Sequence, residues 1–120
     1  MAIMQAGFDD TCDFSENEVQ EAFNWLSGNP GSILVFQPGT YLIRQQLYVP
    51  PLQNCQIDAE PAVFHGDMPA DQSLMVFDSA MNCSIDLGTL VYGGNDKALH
   101  LHPANGVPID HIRKSFRVVG

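Results

Sequence analysis

An internal repeat constrains this chain more than any other feature. The segment Asn54-Cys55-Gln56-Ile57-Asp58-Ala59-Glu60-Pro61-Ala62-Val63-Phe64-His65-Gly66 lies without a gap over Asn82-Cys83-Ser84-Ile85-Asp86-Leu87-Gly88-Thr89-Leu90-Val91-Tyr92-Gly93-Gly94, an offset of 28 residues. The shared pattern is N-C-x-I-D-[AL]-x-x-[AL]-V-[FY]-x-G. A looser copy starts at Asn105 and carries Ile109-Asp110. Between the copies a second run recurs, as Leu47-Tyr48-Val49, Leu74-Met75-Val76-Phe77 and Ala98-Leu99-His100-Leu101. Each period therefore holds about three short strands, and periods of about 20–50 residues mark architectures that stack. One such unit cannot bury its own apolar side. Stacked units bury a continuous column, with parallel strands about 4.8 Å apart.

Alternation within the repeat assigns the faces. Cys55, Ile57 and Ala59 share one side with Cys83, Ile85 and Leu87, while Gln56, Asp58, Ser84 and Asp86 share the other. The predicted fold class is all-β: a parallel β-helix solenoid of about three to four turns with one N-terminal capping α-helix. A propeller blade needs four strands per period and more chain than this. The helix is expected over Glu16–Ser27. Ser15 and Glu18 form the capping-box pattern S-x-x-E, and Val19, Ala22, Phe23 and Leu26 recur at helical spacing. Gly28 is expected as the left-handed residue that ends it, and Pro30 forbids continuation. Such a helix covers the first open turn, which otherwise exposes unpaired backbone.

The chain has 120 residues, about one domain's length, with a hydrophobic fraction of 45% that suits a packed core rather than disorder. Residues 1–30 form an N-terminal segment with the capping helix, and 31–120 the stacked turns, in a single domain. Five Lys+Arg against 14 Asp+Glu leave a net charge of −9. Nucleic acid and anionic membrane surfaces are disfavoured partners, because both are gripped by clustered basic side chains. No apolar run approaches the length of a bilayer span, and Met1–Ala6 lacks the flank and apolar stretch of a signal peptide.

Two further runs carry a family resemblance: Val19-Gln20-Glu21-Ala22-Phe23, and Gly31-Ser32-Ile33-Leu34-Val35-Phe36-Gln37-Pro38-Gly39-Thr40-Tyr41-Leu42-Ile43. Together they resemble the N-terminal signature of pectate-lyase-like right-handed β-helix proteins, whose pattern is an h-Q-x-A-h helix followed by G-x-h-h-h-x-P-x-G-x-Y-h. That group includes polysaccharide lyases, glycoside hydrolases and bacteriophage tailspikes. The resemblance implies right-handed winding. The family's glycine-rich strand before the helix is missing, although Asp9-Asp10-Thr11 echoes the D-D-T that follows it. The chain is also shorter than such relatives generally are.

Candidate chemistry centres on Asp58, Asp86 and Asp110, which occupy equivalent outward positions of the repeat. Neighbouring carboxyls in such a column could approach the roughly 5 Å separation of a retaining glycosidase, and alternate ones the roughly 6.5–9.5 Å of an inverting one. With Glu60 nearby, the same column could hold calcium. The structural alternative is that aspartate caps the turn after each strand and recurs because the turn recurs. His100 and His102 flank Leu101, so their side chains share a face and could bind a transition metal, particularly in a trimer where other copies add ligands. An H-x-H pair on a strand is more often simply exposed or at an interface. His65 reads as a surface residue, and His111 beside Asp110 lacks a companion nucleophile.

Cys55 and Cys83 stack in adjacent units and read as buried free thiols. Trp25 and Tyr48 are the candidates for stacking against a sugar ring, with packing as the alternative for both. Phe116–Gly120 ends on a strand-like run with nothing to close the column, so another copy of the chain or a neighbouring subunit is expected at this open edge. The favoured function is a module of tailspike type. It would attach to a surface polysaccharide or assemble into a virion component, at the virion or another extracellular surface, without independent catalysis and without a cofactor. The runner-up is a polysaccharide-degrading enzyme, lyase or glycoside hydrolase, using the aspartate column.

Overall fold

In the computed structural model, residues 2–7, 14–69, 71–92, 99–101 and 113–119 are described. The single α-helix among them, α1 (Glu16–Ser27), follows from its sequence. Ser15 is extended at φ −124° and its hydroxyl accepts the N–H of Asn17 at 3.3 Å, so it is the N-cap. Val19, Ala22, Phe23 and Leu26 form one stripe with no exposure at all. The helix end departs from expectation. Gly28 stays right-handed at φ −81°, and the Asn29 side chain donates to the Trp25 carbonyl at 2.7 Å. Left-handed geometry falls three residues later, at Gly31 (φ 82°). An amide side chain that satisfies a terminal carbonyl removes the need for an immediate glycine cap.

Twelve strands accompany the helix among the described residues: β1 (Ile3–Ala6), β2 (Ile33–Phe36), β3 (Gly39–Ile43), β4 (Leu47–Val49), β5 (Leu52–Gln53), β6 (Gln56–Asp58), β7 (Ala62–Gly66), β8 (Met75–Phe77), β9 (Ala80–Met81), β10 (Ser84–Val91), β11 (Leu99–Leu101) and β12 (Arg113–Val119). Every pairing between them is parallel. The repeat sets the register. Ile57 pairs with Ile85 and Asp58 with Asp86, while Leu34 pairs with Ile57 on the other side. The second recurring run also aligns, Tyr48 against Val76 and Val76 against His100. The inward set is buried: Cys55 and Cys83 are each 3% exposed, Ile57 1% and Leu87 0%. The repeat's leading asparagines explain themselves here. Asn54 and Asn82 adopt left-handed φ of 56° and 53°, a conformation that asparagine tolerates better than other residues with a side chain.

The expected parallel β-helix solenoid is not what these pairings build. The strands gather into a seven-stranded sheet ordered β1-β2-β6-β10-β7-β3, with β12 also on β10, and into smaller sheets β11-β8-β4 and β5-β9. Together with α1 they form a compact body of 34 × 30 × 20 Å with a radius of gyration of 13.2 Å. That radius is close to the roughly 13.6 Å of a compact chain of this length. The physical reason lies at Gly88, where the repeat pattern predicts a turn between two strands. Instead β10 runs through it as one strand, and the register of its pairing with β12 shifts between Asp86 and Thr89. The two halves of β10 therefore pair with β6 and β7 in a single sheet. Strand β1, absent from the sequence expectation, adds to the edge of that sheet.

The core between the sheets and α1 is aromatic. Phe36 meets Phe64 edge-on at 5.3 Å, Tyr41 stacks on Phe64 at 5.4 Å, and Phe23 touches both Phe36 and Phe77 at 5.9 and 6.4 Å. Such pairs add about 0.5–1.5 kcal/mol each beyond their buried area. Tyr41 is fully buried and its hydroxyl donates to the Gln37 carbonyl at 3.1 Å. A rigid body of this kind fixes the surface residues of β4, β6, β8 and β10.

Candidate functional site

Strand β4 presents the best-defined surface site. Leu47 and Val49 point into the core, so Tyr48 between them faces outward and keeps 46% of its surface exposed. It is held at both ends. Its hydroxyl donates to Asp78 Oδ2 at 2.5 Å. Its backbone N–H donates to Gln20 Oε1 at 2.9 Å, and its carbonyl accepts from Gln20 Nε2 at 2.6 Å. Asp78 follows β8, whose Val76 lies directly opposite Tyr48, so the pair is the diagonal neighbour expected across adjacent strands. This hydrogen bond stabilises the neutral phenol and, with lesser contributions from desolvation and the carboxylate charge, pushes the Tyr48 pKa above its ordinary 10.0. The result is an exposed aromatic ring fixed beside a carboxylate.

Next to it is a cavity of about 220 Å³ between the first turn of α1 and the chain leading into β4, lined by Glu16, Asn17, Gln20, Gln45, Gln46 and Leu47. Glu16 is 6% exposed despite its charge. Arg44 Nε donates to both of its oxygens, at 3.2 and 3.3 Å, which is how a buried carboxylate is retained. Gln46 Nε2 donates to the Ser73 carbonyl at 3.1 Å, and Gln20 Nε2 also reaches Asn24 Oδ1 at 3.1 Å.

The aspartate column is present in part. Asp58 and Asp86 are register partners on β6 and β10, both half-buried, at a backbone spacing of about 4.8 Å. Asp86 Oδ1 accepts the N–H of Gly88 at 3.1 Å, a local turn of the kind aspartate forms with the residue two positions on. Its carbonyl accepts from Ala59 at 2.8 Å. Asp110 lies outside the described residues. Among the described residues no group of three or more His, Cys, Asp or Glu is placed to hold a metal ion. His100 sits on β11 opposite Val76; His102 and His111 lie outside the described residues.

Trp25 is half-buried and packs against the core, so of the two aromatics chosen for sugar contact Tyr48 is the exposed one. Tyr92 is 7% exposed, in keeping with its alignment to the buried Phe64. Cys55 and Cys83 are free and buried, each sulfur directed at the carbonyl two residues earlier, Gln53 at 3.2 Å and Met81 at 3.3 Å. Burial pushes the Cys83 thiol above its ordinary value.

Sequence reasoning placed Gln20 only in a family signature and missed Asp78 altogether. Asp78 was legible in one respect: it follows the run Leu74–Phe77 that aligns with Leu47–Val49, so its proximity to Tyr48 follows once those runs pair. Among the described residues no helix is long and apolar enough to cross a membrane. Compared with known proteins, the chain matches no family model, no curated protein and no solved structure.

Proposed function

We propose that this chain is a recognition module without independent catalysis, which attaches to a surface polysaccharide at a virion or another extracellular surface. The observation that carries this reading is Tyr48, whose exposed ring is held through its hydroxyl by Asp78 and whose backbone is held by Gln20. Sugars bind protein surfaces by laying an apolar ring face on an aromatic side chain while nearby polar groups take their hydroxyls. Immobilising the ring beforehand removes the ordering cost that otherwise weakens a shallow site. The resemblance of residues 19–43 to polysaccharide-handling proteins supports the same reading. Retention on immobilised polysaccharides tests it: the chain is expected to be held by at least one of a broad panel and Tyr48→Ala to be released from it. A chain retained by none of them would refute the proposal.

A second reading draws on the side-by-side placement of Asp58 and Asp86. It makes the chain a polysaccharide-degrading enzyme that uses these carboxyls. Against it, Asp86 is engaged with the Gly88 N–H in a turn. Asp86→Asn keeps an oxygen acceptor for that N–H, so it separates the two roles. Loss of depolymerisation in a folded Asp86→Asn variant would establish the enzyme, and absence of cleavage by the unaltered chain across the panel would exclude it.

A further inference from the structure

We propose that the cavity beside Tyr48 seats one unit of a neutral glycan, so that the module selects uncharged polysaccharides over uronic-acid or sulfated ones. This rests on the attachment reading above and adds to it a subsite and a ligand class.

The lining chemistry is carboxamide. Asn17, Gln20, Gln45 and Gln46 all contribute to it, and each carboxamide offers both a donor and an acceptor. Sugar hydroxyls are likewise both, so amides match them without imposing charge. Two of the four are already positioned. Gln20 is fixed by Tyr48 and Asn24, which take both Nε2 hydrogens and leave it only acceptor capacity on Oε1. Gln46 is anchored through its Nε2, leaving Oε1 without a partner among the described residues. Asn17 and Gln45 are exposed and are the groups that would turn to meet the ligand.

Size limits the occupant. About 220 Å³ falls below the roughly 300–1,000 Å³ of sites for drug-sized molecules and equals the share of about seven waters. One sugar ring fits that space better than an oligosaccharide does. Gln46 and Tyr48 are two residues apart and both exposed, hence on one face and about 6.7 Å apart along the chain. A glycan seated in the cavity therefore continues onto the Tyr48 ring.

Charge decides the class. Among the described residues no cation lines the cavity. Arg44, the basic side chain beside it, is engaged with Glu16, and Asp78 sits at the neighbouring ring. On a chain of net charge −9, a carboxylate or sulfate on the ligand would meet repulsion, and the guanidinium beside the cavity is already paired with Glu16.

The test is titration of the full chain with neutral oligomers (of dextran, mannan and galactan) and anionic oligomers (of galacturonate and hyaluronan), alongside Tyr48→Ala and the double variant Asn17→Ala/Gln45→Ala. All three altered residues are exposed, and thermal melts confirm that each variant is folded. At least one neutral oligomer is expected to bind, with affinity falling about tenfold in the double variant, as loss of two or so hydrogen bonds entails. Two results would overturn the subsite and leave the attachment reading standing: tighter binding of the anionic oligomers, or a Tyr48→Ala variant that loses binding while the double variant does not. Absence of binding by every oligomer would overturn both.

Discussion

Gln20 and Tyr48 are joined by two hydrogen bonds that imitate a strand pairing. The Gln20 carboxamide accepts from the Tyr48 N–H at 2.9 Å and donates to its carbonyl at 2.6 Å. Strand β4 is the outermost of its sheet, with β8 on its inner side. A glutamine on α1 thus supplies the bonds that another strand would otherwise seek, which protects the edge. Replacing it tests this. Gln20→Ala is expected to lower stability by about 1 kcal/mol, since water recovers part of what is lost at an exposed site. Gln20→Glu is expected to cost at least as much, because a carboxylate can accept from the N–H but repels the carbonyl. Urea denaturation midpoints measure both, and an unchanged midpoint for the alanine variant would show that the pairing contributes nothing.

Gly88 lets β10 bend without breaking. Its φ is 64°, and a Cβ there would overlap the Ala59 carbonyl and come within 2.6 Å of the Ala62 carbonyl. These are backbone atoms that cannot move aside. Gly88→Ala is therefore expected to cost several kcal/mol, about 1–2 of them from the left-handed conformation alone. Gly31 has a similar φ of 82° but open space around it. Gly31→Ala should show only the conformational part. Thermal melts of the two variants side by side separate strain from collision, and equal losses would contradict the packing at Gly88.

The Tyr48–Asp78 hydrogen bond gives a titration signature. Because the folded chain holds the phenolic proton more tightly than the unfolded chain does, the associated stability is present below the ordinary tyrosine pKa. It is lost as pH rises through the folded value. Ultraviolet titration of tyrosinate, with Tyr48→Phe as the difference control, is expected to place Tyr48 above 10.0, and Asp78→Asn to bring it back down. No change in the asparagine variant would mean that Asp78 is not the cause.

Thiol chemistry reports on the core. Cys55 and Cys83 are each 3% exposed, and burial raises the Cys83 pKa above its ordinary 9.0. Few Cys83 thiolates form near neutral pH, and both sulfurs are shielded by burial. In a Cys12→Ser background, both remaining thiols are expected to react with a disulfide reagent only as fast as the chain opens, and at once in denaturant. Rapid reaction in the native state would place them at the surface. The same raised pKa favours unfolding at alkaline pH, where the unfolded thiol ionises first.

Local geometry and its repetition were already legible in the order of residues. Helical spacing from Val19 to Leu26 set the buried stripe of α1, and period-two alternation set which side chains of β6 and β10 point inward. The 28-residue offset set the partners, Ile57 with Ile85 and Asp58 with Asp86. Each of these depends on bonds within a few residues, or on two copies of one pattern preferring one register. How the strands group depended on packing across the whole chain. Whether Gly88 turns or merely bends depends on which carbonyls crowd it, and no pattern in residues 83–92 carries that information. For the same reason Ile3–Ala6 became a strand only because β2 offered an open edge. The candidate site belongs in part to this second class. Gln20 reaches Tyr48 across 28 residues, and Tyr48 reaches Asp78 across 30. The Gln20 contact forms when α1 packs on the edge of β4 and becomes visible only in the folded chain, whereas the Asp78 contact follows from the repeat once Leu47–Val49 lies beside Leu74–Phe77.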